Sequence, residues 1–165
     1  AWFERRHPDD NVNLINVESF ICELRLSAGD KVRAEAACRD ALERSEATYG
    51  PTSARLLWQL QMRARGLMAA GNVDAALPLL QRAMKIGETN ALTPTEVAAS
   101  KTYLALAYLQ LHRLSEAEPL LGAVAAAAQQ DPAICTFLNT EEHVPTQLAQ
   151  AAKACAKIVS AAAGQ

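Results

Sequence analysis

Apolar residues recur at three- and four-residue steps through most of the chain, and the stripe Leu57, Leu60, Ala64, Leu67 shows the pattern most clearly. That spacing lays one apolar face along an amphipathic helix. Leu104, Ala105 and Tyr108 continue the same logic further on. The pattern predicts helices over 12–27, 31–48, 52–70, 73–87, 94–111, 114–129 and 145–163. Punctuation supports the division. Thr93-Pro94-Thr95-Glu96 reads as a capping box with proline at the first helical position, and Asp30 and Asn72 stand as N-caps after their turns. Gly50-Pro51 and the stretch 87–94 separate helix pairs.

The pairs recur. Gly71 is followed by Ala76, Leu79, Leu80 and Ala83; Gly29 is followed at the matching offsets by Ala34 and Ala41; and His112 by Ala117, Leu120, Leu121 and Val124. The steps are 42 residues from Gly29 to Gly71 and 41 from Gly71 to His112. A fixed period of this length marks a stacked repeat rather than a plain bundle, which would show apolar heptads without it. Each unit reads as helix, tight turn, helix. Small side chains such as Ala64 and Ala76 let two antiparallel helices approach, Gly71 supplies the positive φ that ends the first, and Leu67 and Leu80 fill the remaining space.

These residues, with the run Ser115-Glu116-Ala117-Glu118-Pro119-Leu120-Leu121, resemble the tetratricopeptide repeat family, and within it the long-repeat variety of kinesin light chains and many bacterial regulators. The resemblance covers about residues 11–129 and departs from the pattern at three places. His112 replaces the turn glycine, Val124 replaces the second small residue, and Arg25 stands where Leu67 and Tyr108 stand in the other units. A one-residue shift in the first helix would bring Val17, Ile21 and Leu24 into register instead.

The resemblance implies an all-α superhelix of three antiparallel hairpins, at about 11–48, 52–87 and 94–129, treated as a single domain. A loop over 130–144 then leads to a capping helix at 145–163 with Leu148, Ala151, Ala152, Cys155 and Val159 as its buried stripe. It also implies a concave surface, lined by the first helices, that takes a partner peptide or helix. Off the packing stripe of the central unit lie Trp58, Gln61, Met62, Arg65 and Met68. Their counterparts in the third are Ala99, Thr102, Tyr103, Leu106 and Leu109, and the expected binding set is Trp58, Gln61, Met62, Arg65, Met68, Thr102, Tyr103 and Leu106. Aromatic and Met anchors beside hydrogen-bonding groups suit recognition. The alternatives are that Trp58 and Tyr103 pack between repeats, and that the module self-associates through its exposed ends.

Composition narrows the partners. Half of the 165 residues are hydrophobic but only 5% are aromatic, so Ala and Leu carry the apolar surface, and both favour helix. Sixteen Lys and Arg against 18 Asp and Glu are scattered, which argues against nucleic acid as a partner. The apolar run Leu120 to Ala128 is far shorter than the roughly 20 residues that span a bilayer, so no membrane is expected.

No candidate chemistry emerges. His7, His112 and His143 are isolated, no phosphate loop or nucleophile elbow occurs, and the adjacent carboxylates Asp9-Asp10 and Glu141-Glu142 read as solvated charge, so neither cofactor, metal nor catalysis is expected. Cys22 and Cys38 sit at helical packing positions and read as small core residues. Cys135 falls in the loop and Cys155 in the last helix, where a bridge is open to the chain if the compartment is oxidising. No targeting segment is visible, and the cytoplasm is the default expectation. Beginning at Ala1-Trp2, the chain reads as a piece of a longer protein, with Ala1 to Arg6 as the end of a preceding repeat's helix.

Overall fold

The computed structural model describes residues 8–140. Within them the chain is all helical, with no strand: α1 Pro8–Ser27, α2 Lys31–Tyr49, α3 Leu57–Ala69, α4 Val73–Thr89, α5 Pro94–Gln110, α6 Leu114–Ala128 and α7 Pro132–Thr140, with a 3-10 turn at Ala54–Leu56 before α3. The contacts divide the chain after Asn90 into two compact units, where the sequence reads as one domain. The first holds the hairpins α1/α2 and α3/α4, with α2 packed on α3; the second holds the hairpin α5/α6, with α7 against both its helices.

One turn, used three times, sets the geometry. Asp30 N–H donates to Arg25 C=O at 3.0 Å, Asn72 to Leu67 at 2.8 Å and Arg113 to Tyr108 at 2.8 Å. Gly29, Gly71 and His112 N–H groups donate to Leu26, Met68 and Leu109 at 3.0 Å. This pair of bonds is the Schellman exit, which satisfies carbonyls orphaned at a helix end and requires a left-handed residue. Gly29 and Gly71 take φ 74° and 84°; His112 takes φ 57° despite its side chain. The repeat positions on the second helix of each hairpin are then covered: Ala34 and Ala41, Ala76 and Ala83, Ala117 and Val124 are all buried.

The same turn settles the register of α1. Counting back from Gly29, Ile15 and Cys22 match Leu57 and Ala64, and all four are buried. Val17 and Leu24 are 54% and 59% exposed, so the one-residue shift does not occur. Arg25, in the place of Leu67, reaches over the turn to donate to the Arg33 carbonyl at 3.1 Å.

Capping follows the sequence with one exception. Thr93 Oγ1 accepts from Glu96 N–H at 3.2 Å while Glu96 Oε2 accepts from Thr93 N–H at 2.7 Å, a complete capping box. Asp30 caps α2 by accepting from Arg33 N–H at 3.3 Å. Asn72 holds the N-cap position of α4, yet its side chain makes no capping bond.

Two expectations are corrected. The region read as a loop from 130 contains α7: Asp131 Oδ1 accepts from Ala133 N–H at 2.8 Å, Pro132 opens the helix, and Ile134, Cys135 and Leu138 are buried on one face. Asp131-Pro132 is a start signal of the same kind as Thr93-Pro94. Second, Cys22 and Cys38 are not thiols but a disulfide joining α1 to α2, with Cα atoms 5.0 Å apart. Cys135 is also disulfide-bonded, and its expected partner Cys155 lies outside the described residues, as does the capping helix 145–163.

A charged clamp reinforces the first hairpin. Arg44 grips Glu18 with Nε donating at 3.0 Å and Nη2 at 2.9 Å, a fork matched to a carboxylate. That hydrogen bond, more than the charge attraction, raises the Arg44 pKa against the opposing effect of burial.

Candidate functional site: the open arc of the first helices

Phase fixed by the turns tells which residues of each first helix share an arc. On α3 the open arc carries Trp58, 42% exposed, half-buried Arg65 and exposed Ala69. Forty-two residues earlier, α1 presents Asn16, Glu23 and Ser27, all exposed. The two helices touch within the first unit, where buried Gln59 donates through Nε2 to Ser19 Oγ at 3.3 Å. An indole, a guanidinium, a carboxylate and short polar groups therefore line corresponding arcs of neighbouring helices. The α1 members are short or charged side chains that carry no aromatic or Met signal of their own. The step of 42 applied to Trp58 and Arg65 finds Asn16 and Glu23.

In the second unit the equivalent arc of α5 runs through Ala99, Leu106 and Gln110, of which Ala99 is buried, Leu106 half-buried and Gln110 exposed. This arc lacks the ring and charge of its counterpart on α3.

The remaining expected binding residues lie inside. Met62 packs with Cys22, Ala37 and Cys38 in the core of the first unit, against Ile21 and Leu26. Arg65 Nη1 lies 3.7 Å from the Met62 sulfur. Gln61 and Met68 are buried. Thr102 is fully buried and returns its hydroxyl to the Ala98 carbonyl at 2.8 Å. Tyr103 is buried with its ring edge-on to Phe137 of α7, centroids 6.2 Å apart. The physical reason is width: a first helix has neighbours on several sides, so residues off the hairpin stripe are covered by adjoining helices rather than left to solvent.

Other concavities offer less. A half-open cleft of about 300 Å³ in the second unit is lined by Leu92, Pro94, Val97, Ala98 and Lys101 on the α5 side and Ala123, Val124 and Ala127 of α6. Only Lys101 brings charge to it, so it lacks the convergent polar groups that orient a small ligand. Among the described residues no group of three His, Cys, Asp or Glu side chains could hold a metal ion, and no helix is long and apolar enough to cross a membrane.

Residues 67–136, from the end of α3 into α7, match the model of the tetratricopeptide repeat family. The match covers less than half of the chain. A search of curated proteins finds none that matches this chain. Tetratricopeptide repeats generally mediate contacts between proteins and are generally non-catalytic.

Proposed function

We propose that the chain is a non-catalytic interaction module that takes an extended peptide or a helix of a partner protein along the open arc of its first helices, as the adaptor or regulatory part of a larger protein. The observation that carries this reading is Trp58 standing 42% exposed beside half-buried Arg65 on a helix whose other large apolar side chains are buried. Trp and Arg dominate protein interfaces because each combines a broad apolar body with directional hydrogen bonding. Glu23 across the arc supplies the opposite charge, which fixes the direction in which a partner segment lies.

The test selects peptides on the full chain from a displayed random library and measures the best by calorimetry against the chain and against Trp58→Ala and Arg65→Glu. Each change should weaken binding by about tenfold or more. Selected peptides that bind both variants as tightly as the parent would place recognition elsewhere.

A further inference from the structure

Seven residues before the turn residue and nine after it, the hairpin α3/α4 has Ala64 and Leu80, and the hairpin α5/α6 has Ala105 and Leu121; all four are buried. In the first hairpin the same two positions are Cys22 and Cys38, and their sulfurs are joined. A covalent bond therefore stands where the repeat elsewhere has a small and a large apolar side chain.

That bond is sealed. Cys22 is 0% and Cys38 1% exposed, in a buried cluster with Ala37 and Met62 against which Ile21 and Leu26 pack. Gly66 of α3 lies so close that a Cβ added to it would meet Cys38 Sγ at 3.7 Å. Making or breaking a disulfide requires a thiolate to reach one of the two sulfurs. No outside thiol or disulfide reaches either one while α3 covers them through Met62 and Gly66. The redox state of the pair is therefore set before the first unit closes and is held afterwards. A chain folding among reduced thiols closes over two thiols; one folding where disulfides are supplied closes over the bond.

The order of elements permits the second course. Helices α1 and α2 precede α3, and the antiparallel hairpin alone brings the two cysteines, 16 residues apart, face to face. The second unit carries the same signature. Cys135 of α7 is 0% exposed and disulfide-bonded, so among the described residues no cysteine is a free thiol.

We propose that the chain is oxidised as it folds, in a compartment outside the cytoplasm that supplies disulfides, by exchange at Cys22 and Cys38 before α3 docks on the first hairpin. The thiolate of one cysteine attacks a sulfur of a donor, a protein or small-molecule disulfide; a mixed disulfide forms and the donor's other sulfur leaves as a thiolate. The second cysteine then attacks the chain's own sulfur in the mixed bond and expels the donor's remaining thiolate. The chain gives up two thiol protons and two electrons, and the donor takes both and leaves as two thiols. The cytoplasm expected by default from the sequence keeps its thiols reduced and offers no such donor in excess. This inference stands apart from the binding arc, since neither sulfur lies on it.

Two measurements on the unaltered protein test it. In the first, cells that make the protein are fractionated, and each fraction is denatured in an alkylating agent and digested with trypsin. Cleavage after Arg6, Arg25, Arg33 and Arg39 puts the two cysteines on peptides 7–25 and 34–39. These peptides should be recovered joined by a disulfide, in the fraction outside the cytoplasm. In the second, the purified protein is treated with dithiothreitol in buffer and in urea, and the same peptides report how fast the Cys22–Cys38 bond opens. Opening should be at least about tenfold slower in buffer, where α3 bars access. A cytoplasmic chain, free thiols at Cys22 and Cys38, or equal rates in buffer and urea would each overturn the proposal.

Discussion

Cys22 and Cys38 are bonded across the first hairpin at points equidistant in sequence from Asp30, the residue that closes its turn. An antiparallel pair of helices brings such symmetric positions opposite each other, and the bond closes a loop of sequence separation 16. Loops of this size restrict the unfolded chain by about 3 kcal/mol. The double variant Cys22→Ala/Cys38→Ala should lose about that much stability in the first unit, read by urea unfolding monitored through Trp58. Reductant alone is the weaker test because Cys135 is also bonded.

Gly66 and Gly71 lie five residues apart and should respond oppositely to alanine. Gly66 is inside α3, where a new Cβ would meet Cys38 Sγ at 3.7 Å, an ordinary contact. Gly66→Ala should stabilise by about 0.5–1 kcal/mol by restoring helix propensity. Gly71 has open space around it but holds φ 84°, so Gly71→Ala should cost about 1 kcal/mol or more from backbone strain alone.

His112 extends that comparison, because it already holds φ 57° with a full side chain. His112→Gly should raise the stability of the second unit by roughly 0.5–1 kcal/mol, the relief of strain being partly offset by the freer unfolded chain. Thermal unfolding followed by circular dichroism would check it, and a drop on substitution would show that the imidazole makes a contact worth more than the strain.

Binding and folding should separate between Arg65 and Tyr103. Arg65→Glu alters a half-buried side chain on the open arc and should spare helicity, whereas Tyr103→Ala removes a buried ring packed on Phe137 and should cost about 3 kcal/mol. Circular dichroism melts of the two single variants distinguish these outcomes.

Glu116 gives the pH dependence a sign. Hydrogen bonds from Arg113, foremost, and from Ser115 hold its carboxyl below the usual carboxylate range. A depressed folded pKa means that the contribution is fully present above the unfolded value, about 4.3, and is lost as pH falls through the folded one. An NMR titration of the Glu116 carboxyl should show the low midpoint, and Arg113→Ala should move it upward.

The hairpins were legible because close packing imposes period and residue size together: Ala34, Ala76 and Ala117 recur where backbones cross, and all are buried. Helix α7 was hidden because only nine residues carry it and no repeat vouches for them. The Cys22–Cys38 bond was hidden for a different reason. Sixteen residues of separation match no local motif, and only the symmetry about the turn reveals that the two cysteines meet. The arc was legible at Trp58 and Arg65, whereas Met62 and Tyr103 required knowledge of neighbouring helices, which no single-helix pattern contains.

Placed within a hairpin rather than between hairpins, the Cys22–Cys38 bond also divides the first unit mechanically. If the chain is pulled from its two ends, force bypasses the turn through the sulfurs, and the 16-residue loop withholds on the order of 55 Å of contour from extension. Helices α2 and α3 have no such tether among the described residues, where packing and the ion pair of Arg63 with Glu35 at 3.9 Å join them. Under tension the α1/α2 hairpin would act as a stiff strut, and yielding would begin at the joint behind it.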